Sequence, residues 1–259
     1  MNGLDYRLME FLPTSGKPAL LFDTSAGLSL GALPGLEDFG GAVRPILSLV
    51  DGVVCSPGQL RRLENRTRND AALLVRMDWT NTLRDAAFPL PPEMAIQINL
   101  LDAGDAVALG AAGMVTTFLL GYEETVEAGC QKAVVQLALS GKAFGIPLLV
   151  EVRTSGPRVS LPGKAVELGA SYALEGGADG VIIPYPGPTS LKTIASMVNS
   201  IPWFLKCTSI GTVFSEWEEA STLGAAGLWL DHAWLAPGVQ LIQVVGCVRS
   251  VSNGQVENG

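Results

Sequence analysis

The sequence predicts an α/β fold, a single (β/α)8 TIM barrel, and three observations lead there. Short apolar runs recur along the chain, separated by helix-like segments. The runs are continuously apolar rather than alternating, as in parallel strands covered on both faces. A glycine-framed joint returns three times, as Gly-Ala-Ala-Gly at 110–113, Gly-Ala-Asp-Gly at 177–180 and Gly-Ala-Ala-Gly at 224–227. The chain length of 259 residues suits one such barrel in one domain.

The candidate strands, in order, are 19–23, 52–56, 72–78, 113–118, 147–153, 180–184, 203–208 and 227–231. Helical stretches fall at 123–144, 163–175, 191–199 and 216–223. In each repeated joint the first glycine ends a helix in a left-handed conformation, and the second lets a strand begin close to its neighbour. Residues 86–93, with Pro89, Pro91 and Pro92, read as a loop. The barrel is expected to occupy 1–250, and the polar segment 251–259 is expected to fray. An open, doubly wound sheet is the alternative. No G-x-G-x-x-G follows the first strand, which counts against its dinucleotide-binding version.

Hydrophobic residues make up 48% of the chain and charged residues 16%, enough apolar material for a large core. No uninterrupted apolar run reaches the roughly 18 residues of a membrane span. Asp5, Arg7 and Glu10 break up the first twenty residues, which lack a signal-peptide layout. A cytoplasmic protein without a membrane partner is expected. The net charge of −8 counts against nucleic-acid binding, which needs a basic footprint. It leaves room for an anionic substrate in a local basic pocket. Cys55, Cys130, Cys207 and Cys247 form no C-x-x-C pair and read as reduced, partly buried thiols. His232 is the single histidine, so a zinc site built from several histidines is excluded. Neither a metal nor a cofactor is called for.

Active sites of such barrels form at the carboxyl ends of the strands. Asp23 ends the first candidate strand, and Arg76 and Asp78 end the third. Glu151 and Arg153 end the fifth, two residues apart and so on one side. Lys206 and Thr208 end the seventh, and Asp231, followed by His232, ends the eighth. Any one of these alone reads as a solvated or ion-paired rim residue. Charges at this many strand ends in a charge-poor chain point to a polar pocket that holds a ligand. Lys206 has two readings. Apolar surroundings would favour a neutral, nucleophilic amine. A partner such as Glu151 or Asp231 would keep it charged.

These residues fall in an order that resembles the DeoC/FbaB superfamily, in particular the archaeal-type class I fructose-bisphosphate aldolases and the related synthases of aminodideoxyheptulosonate. The similarity runs over roughly residues 17–236. The stretch 20–38 is similar to the family's opening strand and loop, and places Asp23 at an aspartate with acid/base or carbonyl-orienting work. Thr24-Ser25 stands for the family's His-Gly. Residues 50–58 resemble its second strand and Pro-Gly turn, and 144–152 its fifth strand. The fifth strand leads to Arg153-Thr154-Ser155-Gly156 in place of Tyr-Pro-Arg-Gly, so Arg153 takes the catalytic tyrosine position. On the sixth strand Gly177-Ala178-Asp179 leads to Ile182 where the family has its Schiff-base lysine, with Pro184-Tyr185 and Gly187 keeping the frame. Cys207-Thr208 and Asp231-His232-Ala233 replace the glycines and Gly-Arg-Asn that hold phosphate. A carboxylate there would repel a phosphate.

The resemblance implies an aldolase-like enzyme that makes or breaks a carbon–carbon bond in a small carbonyl substrate; with Ile182 at the family's lysine position, Lys206 on the adjacent strand is the candidate for a relocated imine. Asp23 or Glu151 would shuttle protons. Arg153 would hold a carboxylate, with Arg76, Asp78, Thr208, Asp231, His232 and Tyr185 as further substrate-binding candidates. It also implies a homo-oligomer. Two alternatives stand beside it. One is acid/base or divalent-cation chemistry on Asp23, Asp78, Glu151 and Asp231 without an imine. The other is a non-catalytic barrel used for binding or assembly, with Trp203, Phe204, Phe214, Trp217, Trp229 and Trp234 either at an interface or packed in the core.

Overall fold

The computed structural model describes residues 3–13, 16–63, 70–207 and 211–235, together with Val245 and Val248. Its strands are β1 (Ala19–Asp23), β2 (Gly52–Cys55), β3 (Ala72–Arg76), β4 (Asp78–Thr80), β5 (Gln97–Asn99), β6 (Gly113–Leu119), β7 (Leu148–Arg153), β8 (Gly180–Pro184), β9 (Trp203–Cys207) and β10 (Gly227–Leu230). All but β4 and β5 close into a parallel barrel in the order β1-β10-β9-β8-β7-β6-β3-β2. The expected (β/α)8 barrel is therefore the fold. The segment 251–259 lies outside the described residues.

The helices are α1 (Gly3–Phe11), α2 (Gly27–Leu30), α3 (Phe39–Val43), α4 (Pro57–Leu60), α5 (Ala103–Ala108), α6 (Glu124–Phe144), α7 (Pro162–Glu175), α8 (Pro188–Met197) and α9 (Val213–Thr222). The first crossovers use short helices where the later ones use long ones. In α4, Ser56 and Gln59 form a capping box, each side chain bonding the other's backbone amide, and Pro57 fits the first turn.

The continuous apolar runs are explained by two cores. Every second strand residue points inward: Leu21, Val54, Leu74, Val115, Leu149, Ile182, Phe204 and Trp229 share one buried cluster inside the ring. Their neighbours Leu20, Phe22, Val53, Leu73, Val150 and Leu205 belong to a second cluster against the helices. Burial on both faces erases the polar alternation that a one-sided sheet would show. Phe11, at the end of α1, joins the inner cluster and closes the amino-terminal end of the barrel.

The repeated joints behave as their glycines dictate. Gly110, Gly177 and Gly224 adopt φ values of 76°, 90° and 87°, a region that favours glycine. At the strand start that follows, a Cβ on Gly227 would collide with the Ala19 backbone. Among the described residues, no helix is long and apolar enough to cross a membrane.

One feature departs from the expected pattern. Residues 72–78 are not one strand. The backbone turns at Met77, and Asp78 starts β4, which pairs antiparallel with β5. The loop between them is cinched by Asn81, whose Nδ2 donates to the Met94 carbonyl at 2.7 Å while its Oδ1 accepts from the Ile96 amide at 2.8 Å. This ribbon carries Thr82 and Leu83 over the carboxyl end of the barrel, beside Arg153.

Candidate active site

At the carboxyl ends of β1, β3, β6, β7 and β9 the inward positions change from apolar to polar. Two residues beyond Leu21, Leu74, Val115, Leu149 and Phe204 stand Asp23, Arg76, Thr117, Glu151 and Lys206. A period of two delivers all of them to one hollow.

Glu151 is the centre. It is fully buried and accepts four bonds. Arg153 Nε lies 2.9 Å and Lys206 Nζ 2.7 Å from its Oε1. Arg153 Nη2 lies 3.1 Å and Arg76 Nη1 2.9 Å from its Oε2. A carboxylate has about four lone-pair sites, so none is left over. Burial works against its charge, but Arg153, then Lys206, then Arg76 outweigh burial and hold its carboxyl well below the usual carboxylate range.

Arg76 links this centre to the first strand. Its Nη2 bonds Asp23 Oδ2 at 2.6 Å, its Nε donates to Ser25 Oγ at 3.0 Å, and its Nη1 donates to Thr117 Oγ1 at 3.2 Å. Its guanidinium carbon lies 5.7 Å from the Trp229 ring centroid, within cation–π range. Burial alone would weaken the guanidinium's hold on its proton, and the carboxylates of Asp23, Glu151 and Asp78 reverse that effect. Asp23 Oδ1 is occupied by the Ser25 amide at 2.8 Å and hydroxyl at 2.6 Å. Asp78 reaches the same cluster from β4. Its Oδ1 accepts from the Thr117 amide at 3.2 Å, and its Oδ2 from Gln97 Nε2 at 3.1 Å. Behind it the Cys130 thiol donates to Gln97 Oε1 at 2.7 Å, and burial pushes that thiol up to about 12.

Lys206 thus points into the barrel. It is opposite Pro184 and Trp229 in the strand register, one inward step above the rung of Glu151, Ile182 and Phe204. Ile182 is fully buried in the inner apolar cluster. Two cavities meet this wall. A small one of about 20 Å³, the size of one water, is lined by Ser25, Arg76, Asp78, Thr117 and Arg153 among others. A larger, open one of about 350 Å³ is lined by Thr82, Leu83, Val152, Arg153, Thr154, Ser155, Pro184 and Lys206. Arg153 lines both, and its Nη1 is buried without a partner.

The structure therefore gathers Asp23, Arg76, Asp78, Glu151, Arg153 and Lys206. Tyr185 is not among them. Pro184 faces the mouth, so Tyr185 turns away, and its hydroxyl donates to Glu219 at 2.5 Å, which pushes it up to about 12. Asp231 is half-buried, and its Oδ1 caps the Ala233 amide at 3.0 Å. The His232 side chain and Thr208 lie outside the described residues. Trp203, Phe204, Trp217, Trp229 and Trp234 are buried, leaving Phe214 as the exposed one of that set. Cys55, Cys130 and Cys207 are buried. Among the described residues, no group of three or more His, Cys, Asp or Glu side chains is arranged to hold a metal ion. Ser25, Thr117 and Gln97 are members that the sequence reading did not single out.

No family model and no curated protein matches the sequence. Solved structures do match in fold. A Schiff-base-forming fructose-1,6-bisphosphate aldolase is 20% identical, with a TM-score of 0.73, over 96% of this chain and 98% of that one. An archaeal fructose 1,6-bisphosphate aldolase is 18% identical, with a TM-score of 0.76, over 97% and 99%. The fructose-bisphosphate aldolase from Slackia heliotrinireducens is 17% identical, with a TM-score of 0.74, over 98% and 90%. At these identities the likeness establishes architecture alone: the chain has a (β/α)8 barrel, as these aldolases do.

Proposed function

We propose that the chain is a diverged, aldolase-like enzyme in which Lys206 forms an imine with a small carbonyl substrate while a carbon–carbon bond is made or broken. The observation that carries this reading is the place of the amine. Lys206 lines the open cavity of about 350 Å³, one step above buried Ile182. An iminium at Nζ would draw electrons from the adjacent carbon and stabilise the carbanion that such chemistry needs. Glu151, 2.7 Å from Nζ, is the group placed to exchange a proton with it. Asp23, held to Arg76, orients the network rather than meeting the substrate.

The expected result is covalent. Borohydride added with a small 2-oxo acid such as pyruvate should fix the substrate on Lys206, read by peptide mass mapping. Lys206→Met should abolish the adduct without unfolding the barrel. An adduct confined to surface lysines, or one that persists in Lys206→Met, refutes the imine.

The full occupancy of Glu151 favours a second reading, a barrel that binds an anion and does not turn it over. It predicts a thermal shift with pyruvate and no adduct.

A further inference from the structure

Arg153 holds Glu151 with Nε and Nη2 and leaves Nη1 unmatched beside the cavities that it lines. Buried donors without acceptors are uncommon, and a guanidinium edge suits a carboxylate. Arg153 Nε and Lys206 Nζ also share one acceptor, Glu151 Oε1, so guanidinium and ammonium are close neighbours. A molecule that meets both must carry its carboxylate next to its carbonyl.

Resting on the imine reading above, we infer that the substrate is a 2-oxo acid and that its carboxylate switches the lysine on. Before substrate binds, Arg153, Lys206 and Arg76 together stabilise the Glu151 carboxylate, which opposes proton transfer to it along the bond from Lys206 Nζ. A substrate carboxylate offers Arg153 a second partner at its Nη1 edge. Gripped by Nη1 and by the second N–H of Nη2, the substrate carboxylate shares the Arg153 charge with Glu151. Arg153 also makes two of the four bonds that stabilise the Glu151 charge. With that charge shared and a second carboxylate nearby, Glu151 accepts a proton from Lys206 Nζ. The neutral amine's lone pair then attacks the carbonyl carbon. The carbonyl oxygen takes one proton from Nζ and the proton borrowed by Glu151, and leaves as water. One N–H remains on the iminium, and Glu151 ends as a carboxylate. Protons and charge balance, with no co-reactant. A neutral ketone lacks the carboxylate that shares the Arg153 charge, so the site discriminates by activation as well as by affinity.

The test compares pyruvate with hydroxyacetone, a neutral ketone of similar size, by rate of borohydride trapping on Lys206. In the native chain pyruvate should label at least about tenfold faster, the scale of one hydrogen bond to a charged group. Arg153→Met removes both the grip and the restraint on Glu151. Pyruvate labelling should fall and hydroxyacetone labelling should rise, closing or reversing the gap. Arg153→Lys keeps a charge on Glu151 but loses the fork, so pyruvate labelling should fall while hydroxyacetone stays slow. This variant guards against a misfolded Arg153→Met. Equal labelling by both ketones in the native chain, or an undiminished pyruvate preference in both variants, overturns the switch and leaves the imine standing. Absence of any Lys206 adduct in all three proteins overturns both.

Discussion

Glu151→Ala is expected to destabilise the folded chain by about 3–5 kcal/mol, the cost of leaving buried charge without its partner. Glu151 is fully buried and ties β3, β7 and β9 together through Arg76, Arg153 and Lys206. Its removal leaves three cations facing one another, with Asp23 and Asp78 alone to offset them. The loss should appear as a lower urea midpoint with little change in slope. A cost under about 1 kcal/mol, the scale of an exposed ion pair, would mean that the cluster is solvated rather than buried. The same carboxylate sets an acid limit. Its folded proton affinity is depressed relative to the unfolded chain, so its contribution is present above the ordinary glutamate value of about 4.3 and is lost as pH falls below it. Native stability should drop through that window, and Glu151→Ala should show a shallower drop.

Arg76→Met should cost a similar amount, about 3–5 kcal/mol, for the opposite reason. Asp23 loses its bond at 2.6 Å, Glu151 loses one cation, and Ser25 and Thr117 lose a donor. The methionine fills most of the stem's volume, so the measured loss reports charge and hydrogen bonding more than a void. Because Arg76 and Glu151 are in contact, the double variant Glu151→Ala/Arg76→Met should cost less than the two single losses together, by about 0.5–3 kcal/mol. Additive losses would show that the two side chains do not act as one network.

How much of this was legible depends on periodicity. The barrel strands are apolar on both faces, so they read as blocks, and the joints at Gly110, Gly177 and Gly224 mark where each begins. The ribbon of β4 and β5 was not legible, because each strand has only three residues and the proline-containing loop between them hides the pairing. Val75 and Met77 continue the apolar run into Asp78, which masks the turn at Met77. Within the site, strand-end charges separated by two residues gave Glu151 and Arg153, and charges that end apolar runs gave Asp23, Arg76 and Lys206. The same period would have excluded Tyr185, since Ile182 and Pro184 already occupy the inward positions. Gln97 reaches Asp78 and Cys130 only because the ribbon folds back, and neither composition nor spacing announces that. The choice of Glu151 over Asp231 as the partner of Lys206 is likewise a matter of strand register and three-dimensional reach.

The most direct measurement is a crystal structure of the chain reduced with borohydride in the presence of pyruvate. The predicted map has continuous density from Lys206 Nζ to the former carbonyl carbon, with the substrate carboxylate on Arg153 Nη1. A map with Nζ unmodified and still seated on Glu151, and with pyruvate bound elsewhere or not at all, contradicts the account.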